Sequence, residues 1–327
     1  HLPPMKTKLL LSILTLCLLP LLMQATHIKS SYISYTRDAQ NSRRLHFTLT
    51  VYTNHYSQAE DPEVEVRMGD GNRVIVPRAS VVPYSKNHDQ EVFNWTYTYA
   101  MPGMFTVAWW NENNNNGIIN LPQPSDQLAG YVYTDVIVGG VTTNLNNGIQ
   151  LAGAPVLEAY TGEAMRHNLL AYDLDGDQLS YQLVAPKTMT RAGEVGYIGG
   201  YRFPEGLTVN QFGELYWENP GTKGQYLISL LITERREGRL MGSTVVDMTF
   251  NVSERTEQPR MQLVNRERLT INSDGSIQVG PEQPLKLEFY LHRGQNNTSN
   301  VSSRLFSELD TLNLVPLTMA VRDTTDG

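Results

Sequence analysis

Hydrophobic positions along this chain alternate with polar ones. Leu45, Phe47, Leu49 and Val51 fall on one side of an extended backbone, with His46, Thr48 and Thr50 on the other. The pattern recurs at Val64, Val66 and Met68, at Phe93, Trp95, Tyr97 and Tyr99, and at Phe105, Val107 and Trp109. It returns at Leu179, Tyr181 and Leu183, at Tyr226, Ile228, Leu230 and Ile232, and at Val246, Met248, Phe250 and Val252. Period two over short runs rich in Thr, Val and Tyr marks half-buried strands. Turn formers separate the runs: Gly69-Asp70-Gly71, Met101-Pro102-Gly103, Asn147-Gly148, Asp175-Gly176, Asn219-Pro220-Gly221 and Asp274-Gly275. No stretch carries a convincing amphipathic helix of several turns, and residues 302–314 are the one short candidate. The pattern predicts an all-β chain of tandem antiparallel β-sandwiches.

A length of 327 residues calls for two or three such units. We expect one sandwich over residues 27–139, a Gly- and Asn-rich linker over 140–153 and a second sandwich over 154–254. A charged linker then leads to a partial third β-module over 261–327, with a strand at Leu285, Leu287 and Phe289. The sequence stops where another turn is due, so the module is expected to be incomplete. Lys6 and Lys8 precede an apolar run from Leu9 to Met23, and Ala25 follows. A basic start, a short apolar stretch and a small residue at its end predict a cleaved signal peptide over residues 1–25. Within it, His1 to Pro4 read as upstream sequence before a start at Met5. The mature chain then begins near Thr26, is extracellular or on the cell surface, and has lost its one cysteine, Cys17. A net charge of −7 without a basic block argues against nucleic acid as a partner.

The order of motifs also resembles a known family. "MGDGNRVIVPR" (68–78), "WTYTYAMPGMFTV" (95–107) and "NENNNNGIINL" (111–121) are similar to a polycystic-kidney-disease (PKD) type of immunoglobulin-like domain. "APVLEAYTGEAM", "AYDLDGDQLSYQL" and the run from "FPEGLTVNQFGELYWENPG" through "ITERREG" to "VVDMTFNV" resemble a cadherin-like bacterial module. Together they resemble the N-terminal part of secreted Bacteroidetes proteins known as gliding-motility-associated C-terminal-domain proteins, over about residues 27–254. The resemblance implies immunoglobulin-like sandwiches, an adhesive or structural role in gliding motility, and export by, hence contact with, the type IX secretion machinery. The chain departs from the family at Arg235-Arg236-Glu237-Gly238, where members often carry Trp-Arg-Asn-Gly. It also lacks the cysteines many members have in the second domain, and the C-terminal sorting module.

The sharpest chemical feature is "DLDGD". Asp173, Asp175 and Asp177 at alternate positions either aim carboxylates at a calcium ion, which takes six to eight oxygens, or cap an Asx-rich turn through Gly176. The resemblance adds Glu234 as a fourth calcium ligand, and Glu158 is a further candidate. Asp70, in Gly-Asp-Gly, reads as a hairpin turn. Trp95, Tyr97, Tyr99, Trp109, Trp110 and Trp217 read mainly as core, although a sugar-binding face is open to them. Trp109 and Trp110 must face opposite ways, which puts one of them near the surface or against a neighbouring domain. The run Asn113 to Asn116 reads as a solvated loop. The histidines lack metal-ligand spacing, and neither H-E-x-x-H nor G-x-S-x-G occurs.

Two readings follow. In the first, the chain is a non-catalytic secreted surface protein, adhesive or structural, whose ligand is a cell-surface polymer, glycan or protein. In the second it is an ancillary spacer of a larger secreted carbohydrate-active enzyme or protease. The first accounts for more of the residues.

Overall fold

A computed structural model describes residues 28–57, 61–139, 145–254, 260–272, 276–280 and 283–292. The signal-peptide reading of residues 1–25 and the short helix expected at 302–314 lie outside the described residues.

The described chain is all-β, apart from short 3-10 turns. Its first part holds β1 (Ile28–Arg37), β2 (Arg44–Asn54), β3 (Glu63–Arg67), β4 (Arg73–Pro83), β5 (His88–Thr98), β6 (Gly103–Asn111) and β7 (Gly130–Val138). There follow β8 (Gln150–Leu151), β9 (Leu157–Tyr160), β10 (Met165–Asn168), β11 (Ala171–Tyr172), β12 (Gln178–Val184), β13 (Lys187–Met189) and β14 (Val195–Tyr197). Then come β15 (Leu207–Val209), β16 (Glu214–Trp217), β17 (Gly224–Arg236) and β18 (Arg239–Ser253). Last are β19 (Arg260–Leu263), β20 (Thr270–Ile271), β21 (Ile277–Gln278) and β22 (Phe289–His292).

The first seven strands pair in the order β1-β2-β5-β4-β3-β6-β7. The inward parity of each run fills one core. Ile33, Phe47, Leu49 and Phe93 pack in it with Val66, Val107, Trp109 and Val136. A second core joins Ile228, Leu230, Ile232, Val246, Met248 and Phe250 to Leu215 and Trp217. These are two largely antiparallel sandwiches of the immunoglobulin-like kind.

β18 joins them. One of its edges pairs with β17, from Gly224 opposite Val252 to Arg236 opposite Arg239. The other edge is divided among three strands. Gly242, Ser243 and Thr244 pair with β7, Asp247 and Met248 pair with β1, and Phe250 to Ser253 run parallel to β9. Both ends of the first sandwich's strand order therefore finish on a strand of the second. The cores share walls as well, since Tyr32 and Tyr52 of β1 and β2 belong to the second core. β1 can be buried on both faces because small serines, Ser30, Ser31 and Ser34, stand between its aromatic and aliphatic side chains.

Two loop expectations are corrected. Asn114 and Asn115 are buried, so this part of the Asn run is not solvated. The reason is that amides here replace missing backbone partners. Asn115 Nδ2 donates to the Ile28 carbonyl at 2.9 Å. Further along the loop, Asn120 exchanges two bonds with Leu227, at 2.8 and 2.9 Å, as a strand residue would. The strand expected at Leu285, Leu287 and Phe289 begins only at Phe289, and the two leucines are exposed. Asn265 accounts for this. Its side chain binds the Lys286 carbonyl (2.8 Å) and the Glu288 N–H (3.0 Å), holding that backbone in place of a neighbouring strand.

Of the aromatics, Trp217 is core and donates from Nε1 to the Glu205 carbonyl at 2.9 Å. Trp95 stacks on Phe47 with centroids 5.2 Å apart, and Tyr99 reaches the Met68 carbonyl at 3.0 Å. Trp109 is buried, whereas Trp110 points the other way beneath Arg67, whose guanidinium lies 5.0 Å from the ring centroid. Arg67 in turn donates to the Gly193 carbonyl at 3.1 Å, in the turn that joins β13 to β14. Asp70 accepts from the Asn72 N–H (3.0 Å) and the Tyr97 hydroxyl (2.7 Å), and its neighbours Gly69 and Gly71 have positive φ, as a tight turn requires.

Candidate metal centre at the seam

The four predicted ligands meet where the two sandwiches touch. The 173–177 turn supplies the aspartates, the end of β17 supplies Glu234 and Arg236, and residues 145–147 supply Asn146 and Asn147. β1 reaches in with Tyr35 and Arg37. Glu158 takes no part, being exposed on β9.

Asp173 does the work of a turn with one oxygen only. Its Oδ1 accepts from the N–H groups of Asp175 (2.9 Å) and Asp177 (2.8 Å), and Gly176 supplies φ of 79°. Its Oδ2 is buried with no hydrogen-bond partner, in a residue only 9% exposed. Asp175 is clamped by Asn147, whose backbone N–H lies 2.6 Å from Oδ2 and whose Nδ2 lies 3.0 Å from Oδ1. Asp177 is held in a fork by Arg236, with Nε 2.7 Å from Oδ1 and Nη2 2.9 Å from Oδ2. Bidentate pairing of this kind is the strong form of the ion pair. Arg236 spends its remaining donors on the Leu145 carbonyl (3.1 Å) and Asn146 Oδ1 (3.2 Å).

Glu234 is 1% exposed. Asn146 Nδ2 donates to its Oε1, while Oε2 is buried without a hydrogen-bond donor. Burial first, then the Asp173 charge, pushes the Glu234 carboxyl up to about 9. Burial likewise raises Asp173, with the Asp177 and Asp175 charges adding to it. A hydrogen bond between the Asp173 and Glu234 side chains adds to the rise at Glu234. Two carboxyl oxygens are bonded only if one carries a proton, and as anions they repel until a cation comes between them. Glycine makes room for Glu234: a Cβ on Gly242 would collide with Oε1 and lie 2.8 Å from the Asp135 carbonyl.

Sequence reasoning found the four carboxylates but not Arg236, Asn146 or Gly242. As the side chains stand, no group of three or more His, Cys, Asp or Glu among the described residues is placed to hold a metal ion. Arg236 already occupies both oxygens of Asp177. The donors left over, two hard carboxylate oxygens, fit calcium in kind but not in number.

No protein-family model matches the chain, and no curated protein matches it. Among solved structures, Sidekick-1 immunoglobulin domains 1–4 overlap 68% of this chain and 91% of that one, at 9% identity and a TM-score of 0.20. The sandwich architecture stands on the strand pairing and the two cores themselves.

Proposed function

We propose that this chain is a structural or adhesive part of a secreted, surface-exposed protein, with no catalytic role of its own, whose seam between sandwiches is locked by calcium. The observation that carries this reading is the shared edge of β18. Backbone bonds from β7 and β1 of the first sandwich to one strand of the second fix the two in register, as a stiff spacer requires. The polar side chains gathered at the seam bind one another and the backbone, which is holding work rather than turnover. Fully ionised, the four carboxylates oppose two guanidiniums, those of Arg236 and Arg37, leaving a formal charge of −2 that one divalent ion balances. The free oxygens of Asp173 and Glu234 are its anchor points.

On this reading the partner is a cell-surface polymer, glycan or protein. The family resemblance further supports export by the type IX machinery and a place in gliding motility. N-terminal sequencing of the exported protein checks the address, with a start near Thr26 expected. The decisive test is thermal unfolding of the purified protein in calcium and in chelator. A ligand that binds only the native state raises the melting temperature. Calcium should raise it, and Glu234→Gln should abolish the rise. Coincident melts for the unaltered protein would remove calcium from the reading and leave a metal-free spacer.

A further inference from the structure

We infer that β12 is a docking edge at which a second copy of this chain adds its own β12, antiparallel, about a two-fold axis through Tyr181. β12 ends the strand order beside β17. It pairs with β17 from Gln178 opposite Arg235 to Val184 opposite Ser229, and with no other described strand. Half of its backbone N–H and C=O groups therefore point away from β17, as in any antiparallel ladder. Proteins blunt such an edge with charge, proline, a bulge or brevity, because it is otherwise a template for another strand. β12 has none of these. It runs seven residues, Gln178-Leu179-Ser180-Tyr181-Gln182-Leu183-Val184, with no charged residue, no proline and no shift of register. Among the described residues the other strands that pair on one side only are shorter, four residues at most. β9 and β10 also carry Glu158 and Arg166, and β14 carries Gly196.

The order of residues along the edge points to its own copy as the occupant. Turned end for end about Tyr181, the strand meets itself with like chemistry opposite like. Leu179 falls opposite Leu183 of the second copy, Tyr181 opposite its counterpart and Ser180 opposite Gln182, while Gln178 and Val184 close the two ends. Leu179, Tyr181 and Leu183 flank the second core and are only half-buried, so a neighbouring strand covers apolar surface that one copy leaves open. Ser180 and Gln182 are exposed and uncharged, so no like charges meet on the other face. Any other register leaves residues of both strands unpaired. The contact uses the same patch on both copies and so closes at two. Two surface units held side by side would bind a repetitive ligand bivalently, which takes the spacer reading a step further.

The test measures self-association of the purified protein by sedimentation velocity over a wide range of concentration, in chelator, so that its outcome is independent of calcium. The unaltered protein should pass from monomer to dimer as concentration rises. Residues 180 and 182 are exposed, so charges there spare the fold, and the variants should melt with the unaltered protein in dilute solution. Ser180→Lys with Gln182→Lys sets lysine opposite lysine twice and should weaken the dimer about tenfold or more. Ser180→Glu with Gln182→Glu should do the same, and a mixture of these two double variants should form mixed dimers. Ser180→Lys with Gln182→Glu sets lysine opposite glutamate at both places and should dimerise at least as well as the unaltered protein. An unaltered protein that stays monomeric overturns the inference. So does a dimer that the like-charge variants leave unchanged, since it must then use another surface. Loss of the dimer in the Lys-Glu variant overturns the two-fold register and the inference with it. Should one like-charge variant fail to fold, the other decides.

Discussion

Asp247 offers a quantitative test of how the shared strand is built. It sits on β18 opposite Ser31 of β1 and Ser229 of β17, so it lies between the two sandwiches. It is 6% exposed, and the Ser229 hydroxyl donates to Oδ1. Tyr133 and Tyr201 lie close enough for its charge to raise their own hydroxyl pKa values. Burial pushes the Asp247 carboxyl from 3.8 up to about 7, with the Ser229 bond pulling the other way. The folded state therefore holds this proton more tightly than the unfolded chain does. Its contribution to stability is complete below about pH 4 and is lost as the pH rises to about 7, beyond which the loss is constant. About three pKa units at 1.36 kcal/mol each make the loss on the order of 4 kcal/mol. Asp247→Asn keeps the shape and an acceptor for Ser229 but cannot ionise. Urea unfolding of both proteins at pH 4, 6 and 8 isolates the effect, because every other titrating group is common to the pair. The Asn variant should match the unaltered protein near pH 4 and exceed it by several kcal/mol at pH 8. A difference independent of pH, or one that grows in favour of aspartate as the pH rises, would refute the placement of a buried carboxyl in this strand.

Three further outcomes are expected. Gly242→Ala should displace Glu234 from the seam, cost about 1–3 kcal/mol in urea unfolding and abolish the calcium-dependent rise in melting temperature. Glu237 has φ of 51° and Gly238 φ of 80° in the two-residue turn between β17 and β18, a pair of positive angles that suits Asn-Gly. Glu237→Asn should therefore stabilise the protein by about 0.5–1 kcal/mol in thermal or urea unfolding. Asn115→Ala would leave the Ile28 carbonyl without its donor. The expected cost is about 1–3 kcal/mol, read as a lower urea midpoint with an unchanged slope.

The strands were legible because period-two burial is read one face at a time. The parity Val246, Met248, Phe250 and Val252 is indeed the face that fills the second core. What alternation hides is a strand buried on both faces. Val245, Asp247 and Thr249 are buried too, because the other side of β18 is also covered, yet their mixed chemistry reads as solvent-facing. The same holds for β1, where serines between aromatics resemble an edge rather than the wall of two cores. At the seam, "DLDGD" was visible because its carboxylates are close in sequence. Asn146 and Glu234 stand 88 residues apart, and no spacing rule joins them. Arg236 was visible as a departure from the family's hairpin motif, but its partner Asp177 lies 59 residues earlier. The Asn loop was misread for a related reason, since a side-chain amide doing the work of backbone has the same composition as one in water.

The polar seam follows from the way β18 is shared. Apolar faces bind without strong directional preference, so two cores abutting through Tyr32 and Tyr52 alone could slide along one another. The divided edge of β18 fixes position along the strand, but it involves only three residues opposite β7 and two opposite β1. Directional bonds at further places fix the angle as well: Asn120 to Leu227, Arg67 to Gly193, Tyr131 of β7 opposite Lys187 of β13, and the seam. Arg37 and Tyr35 come from one sandwich, Asp175, Asp177, Glu234 and Arg236 from the other, and Asn146 and Asn147 from the segment between. Gathering four carboxylates there is unfavourable in isolation. Arg236 relieves part of that cost through Asp177 and Asp175, and a Glu234 carboxyl raised to about 9 relieves more by keeping its proton near neutral pH.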